Sequence, residues 1–439
     1  MVINMVDLTV KFDTLTFKNP ILVGPLVVTE YPPMLERGLA HQIGGVITPT
    51  YTADKENTFR PKPFIVSPRA LFPDLQDMFL TLAEFSAVPI DIALEKHLPT
   101  MHNLCSNAGV PLIGSVLATA DIDATVKLAA DVASKADGLE LNTSYLDKEN
   151  APEVLNAVKK TVGVPTLVRM NSWMNNAQSL GSLAKDGVKS MTVHARMPKG
   201  MLVDTELEEP FALNWPSSTM FGKFMLPVSL GLTVNILNAQ PDANLISIDA
   251  ATQSEDVIQH LLMGCKAVSV CYGVQMHGYK HADALVDGIT GWMEGKGYQK
   301  IGDFAGNALK SVNGAVRPDK RFKHPDEFGA EFMPMVDAGI CKPKECIRCE
   351  EYCLHEVYKV NAQEAKVDVK DENCIGCGIC VGLCPEGAIT LVNRCTEQPV
   401  LENRGTAKVY VGKKQGTPVT TTKRSTYGFR SYVTYTKTE

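Results

Sequence analysis

Eight cysteines in two runs near the carboxyl-terminal end carry the strongest chemical signal of this sequence. The second run reads Cys-x2-Cys-x2-Cys-x3-Cys-Pro and comprises Cys374, Cys377, Cys380, Cys384 and Pro385. A 4Fe-4S cube takes one thiolate per iron, and cysteines at these short intervals can surround it on a tight loop. The glycines between them suit such a loop, because glycine accepts positive φ and lets the backbone approach closely. The spacing therefore predicts an iron–sulfur cluster.

The first run has a related spacing, Cys-x4-Cys-x2-Cys-x3-Cys, and comprises Cys341, Cys346, Cys349 and Cys353. In two-cluster modules the last cysteine of a run serves the cluster of the other run. The predicted ligands of one cluster are therefore Cys341, Cys346, Cys349 and Cys384, and those of the other are Cys353, Cys374, Cys377 and Cys380. We predict two 4Fe-4S clusters.

A structural zinc site and ordinary buried cysteines are the alternatives. Zinc usually takes two separated Cys-x2-Cys pairs, whereas the second run has three cysteines in series before a Cys-Pro end. The first run departs from the bacterial pattern, since its opening gap is wider and Leu354 replaces the proline after Cys353. If Cys341 were not a ligand, that cluster would have an open iron, a three-iron form or Cys395 as a substitute. The prediction keeps Cys341.

Composition limits the class of protein. The 439 residues suffice for one large and one small domain, and a net charge of -6 gives no basic excess for binding nucleic acid. The first residues lack the pattern of a secretory signal, and we expect no membrane span. Most of the 12 cysteines cluster for metal, which favours a reducing cytoplasm. Cys105, Cys265 and Cys271 are predicted to be small buried hydrophobes.

The chain before about residue 305 alternates β-rich runs with helical patterns, which is the rhythm of a parallel sheet. The predicted strands are Pro20 to Leu26, Gly45 to Pro49, Pro111 to Ala118, Gly138 to Asn142, Pro165 to Met170, Ser190 to His194, Leu245 to Asp249 and Ala267 to Val270. Predicted helices include Ile122 to Lys135, Ala151 to Val162, Asn176 to Lys185, Ser254 to Met263 and Asp283 to Glu294. Eight strands indicate an α/β TIM (β/α)8 barrel. An open doubly wound sheet is the alternative, although no Gly-x-Gly-x-x-Gly follows the first strand.

Four segments follow from this pattern: a barrel over residues 1–310, a linker over 311–340, a small α+β ferredoxin domain of the bacterial type over 341–394, and a tail over 395–439. The tail is rich in lysine and arginine with spaced aromatic residues. It is predicted either to be disordered or to wrap a partner subunit. In a TIM barrel the chemistry lies at the carboxyl ends of the strands. Residues there include Pro49, Asn142, Arg169, His194, Asp249 and Cys271.

Several segments resemble known flavoproteins. Val6 to Phe12 and Leu15 to Pro20 resemble the start of the dihydroorotate dehydrogenase barrel, and Gly138 to Ser144 is similar to the flavin and substrate strand of that family. Val270-Cys271 with Val274-Gln275 resembles dihydropyrimidine dehydrogenase. The resemblance implies an FMN-containing barrel that exchanges electrons with iron–sulfur clusters and an NAD(P)H-binding flavoprotein region. No NAD(P)H fingerprint occurs in this chain, so the resemblance implies other subunits of an oxidoreductase complex as partners.

The resemblance also identifies positions where the chain departs from the family. Pro49 stands where a lysine holds the flavin, Tyr145 where the reactive cysteine lies, and His194 where an asparagine lies. Asp249 and Tyr272 replace small residues near the flavin phosphate, and a carboxylate there is electrostatically unfavourable. Asn142 and Arg169 are the predicted FMN contacts, and Tyr145 and His194 are the catalytic candidates.

Arg60, Arg169, His194 and Arg196 could instead receive an anionic ligand. A pyrimidine site is disfavoured because only Asn142 matches the family's pyrimidine-binding asparagines. Two hypotheses remain. In the first, the chain is an iron–sulfur electron-transfer subunit with a non-catalytic barrel. In the second, it is an FMN-dependent oxidoreductase that acts directly on a small substrate.

Overall fold

The computed structural model describes residues 6–402 except 55–57, 61, 69–77, 148, 171–186, 195, 212–217, 249–250, 314–331, 395–396 and 398, and also residues 423–424 and 431–432. These residues form two compact units, which divide at about residue 314. Within the described ranges, no helix is long and apolar enough to cross a membrane.

The first unit is a closed barrel of eight parallel strands, paired in the order of the sequence. The strands are β1 Ile21–Val23, β2 Gly45–Tyr51, β3 Leu112–Leu117, β4 Gly138–Asn142, β5 Thr166–Arg169, β6 Ser190–His194, β7 Asn244–Ile248 and β8 Ala267–Ser269. Each matches a predicted strand to within a few residues. The TIM barrel is therefore confirmed, and the open doubly wound sheet is excluded because β8 pairs with β1.

Helices connect the strands on the outside of the barrel. They are α1 Pro32–Leu39, α2 Leu98–Asn107, α3 Ile122–Ala133, α4 Ala151–Thr161, α5 Leu226–Ala239, α6 Ser254–Leu262, α7 Cys271–His277, α8 His281–Lys296 and α9 Asn307–Asn313. A helical turn at Ile90–Ile92 and a π-helical segment at Ala93–His97 lead directly into α2. Local capping explains some boundaries, since the side chain of Asp121 accepts a hydrogen bond from the Ala124 amide at the start of α3. The predicted helix Asn176 to Lys185 lies outside the described residues.

The two ends of the barrel are covered differently. At the amino-terminal end, the hairpin Val10–Phe12 and Leu15–Phe17 lies against the glycines that begin β2 and β4. At the carboxyl end, a four-stranded antiparallel sheet comprises Ile65–Val66, Met78–Thr81, Met197–Gly200 and Ser218–Gly222. Its strands come from the segments that follow β2 and β6. This sheet contributes side chains to the barrel mouth, where the site was predicted.

The second unit is a small α+β module. Its strands are β9 Phe332–Val336, β10 Tyr358–Asn361, β11 Lys366–Val369, β12 Ile389–Asn393 and β13 Pro399–Glu402, and its helices are α10 Arg348–Tyr352 and α11 Ile379–Leu383. Strand β12 pairs antiparallel with β9 and β13, and β10 pairs with β11. Each short helix contains the third cysteine of a run and ends just before the fourth.

Helices and strands of the two units extend past two of the predicted boundaries. Within the predicted linker, α9 extends to Asn313 and β9 belongs to the sheet of the second unit. Strand β13 likewise joins that sheet from within the predicted tail. Both strands supply backbone partners to β12, a requirement that cysteine spacing alone does not reveal. Of the remaining tail, the described part is a short pairing of Lys423–Arg424 with Ser431–Tyr432.

Candidate functional site

The module brings together cysteines that lie far apart in the sequence. Cys341, Cys346 and Cys349 of the first run share one pocket with Cys380 and Cys384 of the second run, and Val336 and Ile389 also line it. Burial raises the pKa of the Cys349 thiol to about 11, and the nearby thiols of Cys341, Cys346 and Cys384 raise it further. These four thiols therefore interact as one group, which we call the first cysteine set.

A second group forms around the loop of the second run. Burial raises the pKa of the Cys374 thiol, and Cys377 and Cys353 add to this effect through their charges. The pKa of Cys380 is raised by burial and by Cys377 and Cys374. Cys374 and Cys380 are buried, whereas Cys377 is exposed. Cys353, Cys374, Cys377 and Cys380 are called the second cysteine set.

Backbone conformation holds the loop of the second set open. Gly376 and Gly378 have φ angles of +74° and +76°, in the left-handed region that favours glycine. A Cβ atom at Gly376 would lie 2.7 Å from the Phe332 ring, and one at Gly378 would lie 2.8 Å from the Leu401 side chain. The Gly376 amide donates to Cys374 Sγ over 3.4 Å. Amide hydrogen bonds to sulfur of this kind stabilise thiolate ligands of iron–sulfur clusters.

Within the ranges that the structure describes, no three histidine, cysteine, aspartate or glutamate side chains are grouped closely enough to hold one metal ion. Zinc would draw four ligands to about 2.3 Å from a single centre, whereas a cube distributes four thiolates over four irons. Cys395, the predicted substitute for Cys341, lies outside the described residues. Cys105, Cys265 and Cys271 are fully buried in the barrel unit, as predicted.

The centre of the barrel contains an ion pair. Arg169 at the end of β5 donates to the Glu140 carboxylate of β4 in a very short contact, and the side chains are 6% and 0% exposed. Ser115 and Thr192 also donate to Glu140, over 2.7 and 2.6 Å. Burial alone would raise the pKa of Glu140, but the charge of Arg169 and these hydrogen bonds outweigh it and hold the pKa below its ordinary value. Arg169 is thus neutralised inside the protein.

A second arginine predicted as an anion receptor is also paired. Arg60 Nη1 and Nη2 contact the Glu30 carboxylate at 2.8 and 2.9 Å, and Arg60 Nη2 also donates to the Phe85 carbonyl. The Glu30 side chain is 2% exposed. Arg60 and Arg169, both predicted to receive an anionic ligand, thus each have a carboxylate partner within the chain, and their binding of such a ligand stays a prediction. The guanidinium of Arg196 lies 5.0 Å from the centre of the Phe221 ring.

The other predicted barrel residues have varied surroundings. The Asn142 amide donates to Thr50 Oγ1 over 3.2 Å, and its carbonyl accepts from Ser144, so both ends of the carboxamide have protein partners. Tyr145 is 53% exposed, with its ring edge-to-face to Phe85. Burial and then Glu84 raise the pKa of Tyr145 above its ordinary value. His194 ends β6 opposite Ile248, and its side chain lies outside the described part of the structure, as does Asp249.

An aromatic cluster occupies the mouth at the end of β8. The Tyr272 ring is 1% exposed and packs edge-to-face against Phe79 at 5.3 Å and Phe221 at 5.9 Å. Phe79 and Phe221 belong to the antiparallel sheet that covers this end of the barrel. Phosphate sites in such barrels use free backbone amides of glycine-rich turns after the late strands. In the described residues, the buried Tyr272 ring and its two aromatic neighbours occupy the space at the end of β8.

Sequence reasoning missed Glu30 and Glu140. A signal for Glu140 was present, since a glutamate stands between two leucines in a fully buried strand, and charged residues are rarely fully buried unless paired. The partner of Glu30 lies 30 residues away along the chain. No local pattern identifies it.

Comparisons with known proteins agree with the division of the chain into a barrel unit and a cysteine-containing module. The model of the 4Fe-4S binding domain matches residues 367–390. An uncharacterized ferredoxin of Methanocaldococcus jannaschii is 33% identical over 54 residues, which are 12% of this chain and 86% of the ferredoxin.

The barrel has relatives of another kind. The catalytic subunit of dihydroorotate dehydrogenase B (NAD(+)) from Pyrococcus abyssi is 23% identical over 318 residues, covering 69% of this chain and 99% of the relative. The chloroplastic dihydropyrimidine dehydrogenase (NADP(+)) of Arabidopsis thaliana is 29% identical over 93 residues, or 20% of this chain and 22% of that protein.

Fold and comparisons together place the protein in the class of iron–sulfur-containing oxidoreductases. Its large unit is a barrel like those of dihydroorotate and dihydropyrimidine dehydrogenases. Fused to it is a carboxyl-terminal region that belongs to the 4Fe-4S ferredoxin family.

Proposed function

We propose that the protein is the iron–sulfur electron-transfer subunit of an oxidoreductase complex and carries two 4Fe-4S clusters. The observation that carries this proposal is the exchange of cysteines between the two runs. Cys384 lies with the first run, and Cys353 interacts with the second. This exchange is the ligation pattern of two-cluster ferredoxins. The first and second cysteine sets would each hold one cluster.

The chain contributes ligands and a controlled environment. A bound 4Fe-4S cluster supplies reversible one-electron transfer. The thiols of each set would bind the irons as thiolates. The amides of Gly376 and Ala388 donate to Cys374 and Cys384, the latter over 3.2 Å, and would stabilise the negative charge on those sulfurs. Buried Val381, Ile389 and Leu391 exclude water from the core of the module.

The barrel in this proposal is a scaffold with weak or no affinity for FMN. Three features support it: the Tyr272 ring and its aromatic neighbours at the end of β8, the internal pairing of Arg169, and Pro49 in place of a cation. Losing polar contacts to the phosphate costs about 1 to 3 kcal/mol for each group. Two or three such losses would weaken binding by roughly two to several orders of magnitude.

Metal and flavin analysis of the anaerobically purified chain tests the proposal. We expect about eight iron and about eight sulfide per chain, because two sets supply four thiolates each. FMN released on denaturation should be far below one per chain. Stoichiometric zinc without charge-transfer absorption would contradict the cluster assignment.

Stoichiometric FMN would contradict the scaffold role and favour the alternative, an FMN-dependent oxidoreductase acting directly on a small substrate. Tyr145 would then be the first candidate acid or base, because it occupies the position of the reactive cysteine in related barrels. His194 would be the second candidate, and Asn142 and Arg169 would be the candidate flavin contacts. Under that alternative, Tyr145→Phe should abolish turnover without releasing flavin.

Other subunits complete the proposed complex, and one of them would be an NAD(P)H-binding flavoprotein. The Pyrococcus relative is described as a catalytic subunit, a term that fits an enzyme of several chains. The cytoplasm is the proposed compartment, because exposed thiols such as that of Cys377 survive best in a reducing environment.

The tail is proposed to dock on an acidic surface of a partner subunit, since its lysines and arginines contrast with the net charge of -6 of the whole chain. Deleting residues 405–439 should release the partner and leave iron content unchanged. The mass of the complex isolated through an amino-terminal tag measures this. A full-length variant with five tail aromatics replaced by serine, at positions 410, 427, 429, 432 and 435, tests the apolar contribution. An unchanged mass after the deletion would refute docking by the tail.

A further inference from the structure

The two cysteine sets are related by internal repetition, but one position breaks the symmetry. Ile389 lies five residues after Cys384 and lines the pocket of the first set. Tyr358 lies five residues after Cys353 and packs in the core that contains Cys374 and Cys380 of the second set. The repeat therefore places an aliphatic side chain beside one set and a side chain with a hydroxyl beside the other.

The Tyr358 hydroxyl is buried within this core. The residue is 3% exposed, and no atom of the described residues meets hydrogen-bond geometry with its hydroxyl. Tyr358 nevertheless packs in one buried cluster with Cys374 and Cys380, and burial and then Cys380 raise its pKa. Cys349 of the first set packs against the same cluster, so Tyr358 lies near ligands of both sets. A buried donor without a partner costs about 1 to 3 kcal/mol. This cost favours an acceptor that the protein side chains do not provide.

We propose that the Tyr358 hydroxyl donates a hydrogen bond to a sulfur of the cluster held by the second cysteine set, on the Cys380 side, and thereby raises its reduction potential. This inference rests on the proposed two-cluster function. Neutral thiols are weak acceptors, whereas a thiolate or sulfide bound to iron carries the negative charge that a hydroxyl donor prefers. A bound cluster would therefore supply the acceptor for the Tyr358 hydroxyl.

The direction of the effect follows from charge. One-electron reduction adds a negative charge to the iron–sulfur unit, and a hydrogen bond to sulfur stabilises the reduced form more than the oxidised form. The tyrosine keeps its proton, so the electron is the only particle transferred. Ile389 offers no such donor to the first set. The cluster of the second set would therefore be reduced more readily than that of the first set. Cys377, one ligand of the second set, is exposed at the surface.

Substituting Tyr358 with phenylalanine tests the proposal, because it removes the hydroxyl and keeps the ring. The anaerobic chain is titrated with dithionite and followed by electron paramagnetic resonance. In Tyr358→Phe, iron should stay at about eight, and the potential of one cluster should fall. We expect about a tenfold change in its reduction equilibrium, which is about 59 mV for a one-electron couple. Tyr298→Phe in the barrel unit is the matched control and should leave both potentials unchanged.

A Cys377→Ala background identifies which cluster responds. If that change removes the cluster of the second set, adding Tyr358→Phe should leave the potential of the remaining cluster unchanged. Full iron content with unaltered potentials in Tyr358→Phe would overturn this inference while leaving two-cluster function intact. A positive shift, or a shift that persists in the Cys377→Ala background, would also overturn it. Four irons confined to the first set in the unmodified chain would refute both proposals.

Discussion

Replacing Cys377 with alanine is expected to remove about half of the bound iron and sulfide, from about eight to about four of each per chain. Cys377 is the exposed member of the second set, whereas Cys374 and Cys380 are buried. Its substitution therefore removes a ligand and very little packing. A cube with three thiolates in a solvent-exposed loop should be lost during purification. Iron and sulfide assays and electron paramagnetic resonance of the reduced chain measure the change.

Cys105→Ala provides the control for this experiment. Cys105 is fully buried in the barrel, and burial raises its pKa to about 12, so its thiol is not available as a thiolate ligand. Iron content should not change in this variant. Retention of all iron in Cys377→Ala would show that Cys377 is not a ligand and would undermine the assignment of the second set.

Breaking the ion pair between Arg169 and Glu140 in the barrel should have the largest effect on the stability of the protein. We expect Arg169→Met to lower the free energy of unfolding of the barrel by about 3 to 5 kcal/mol, because it leaves the fully buried Glu140 carboxylate without its cation. The double variant Glu140→Gln with Arg169→Met should recover much of this loss, since no uncompensated charge remains. Urea denaturation followed by tryptophan fluorescence reports on the barrel, because Trp173, Trp215 and Trp292 all precede residue 314.

The pH dependence should confirm the cause. The folded-state pKa of Glu140 lies below the ordinary value of 4.5, so its contribution is complete above that value and is lost as pH falls through the folded-state pKa. The difference between the original chain and Arg169→Met should therefore shrink in acid. Lys189→Met serves as a control, because the Lys189 and Asp242 pair is more than half exposed and solvent screens its contribution to stability. Equal losses from Lys189→Met and Arg169→Met would contradict the importance of burial.

Features that depend on local spacing are predictable from the amino-acid sequence alone. Cysteine intervals involve only neighbours along the chain, and they indicate cluster chemistry without reference to the fold. The alternation of strand and helix patterns similarly predicts all eight barrel strands, because burial of a parallel strand on both faces leaves a continuous apolar run. The carboxyl ends of those strands follow directly, and with them the location of the mouth.

Which charges are paired and which aromatic rings are packed at that mouth depends instead on contacts between distant segments. Arg169 meets Glu140 across 29 positions of sequence, and Tyr272 meets Phe79 and Phe221 from two other segments. The same holds for strand β9, which pairs with β12 from within the predicted linker, and for Tyr358 beside Cys380. The physical reason is that desolvation and pairing depend on which side chains the fold brings together. A local pattern records the type of a residue but not the partner that neutralises it.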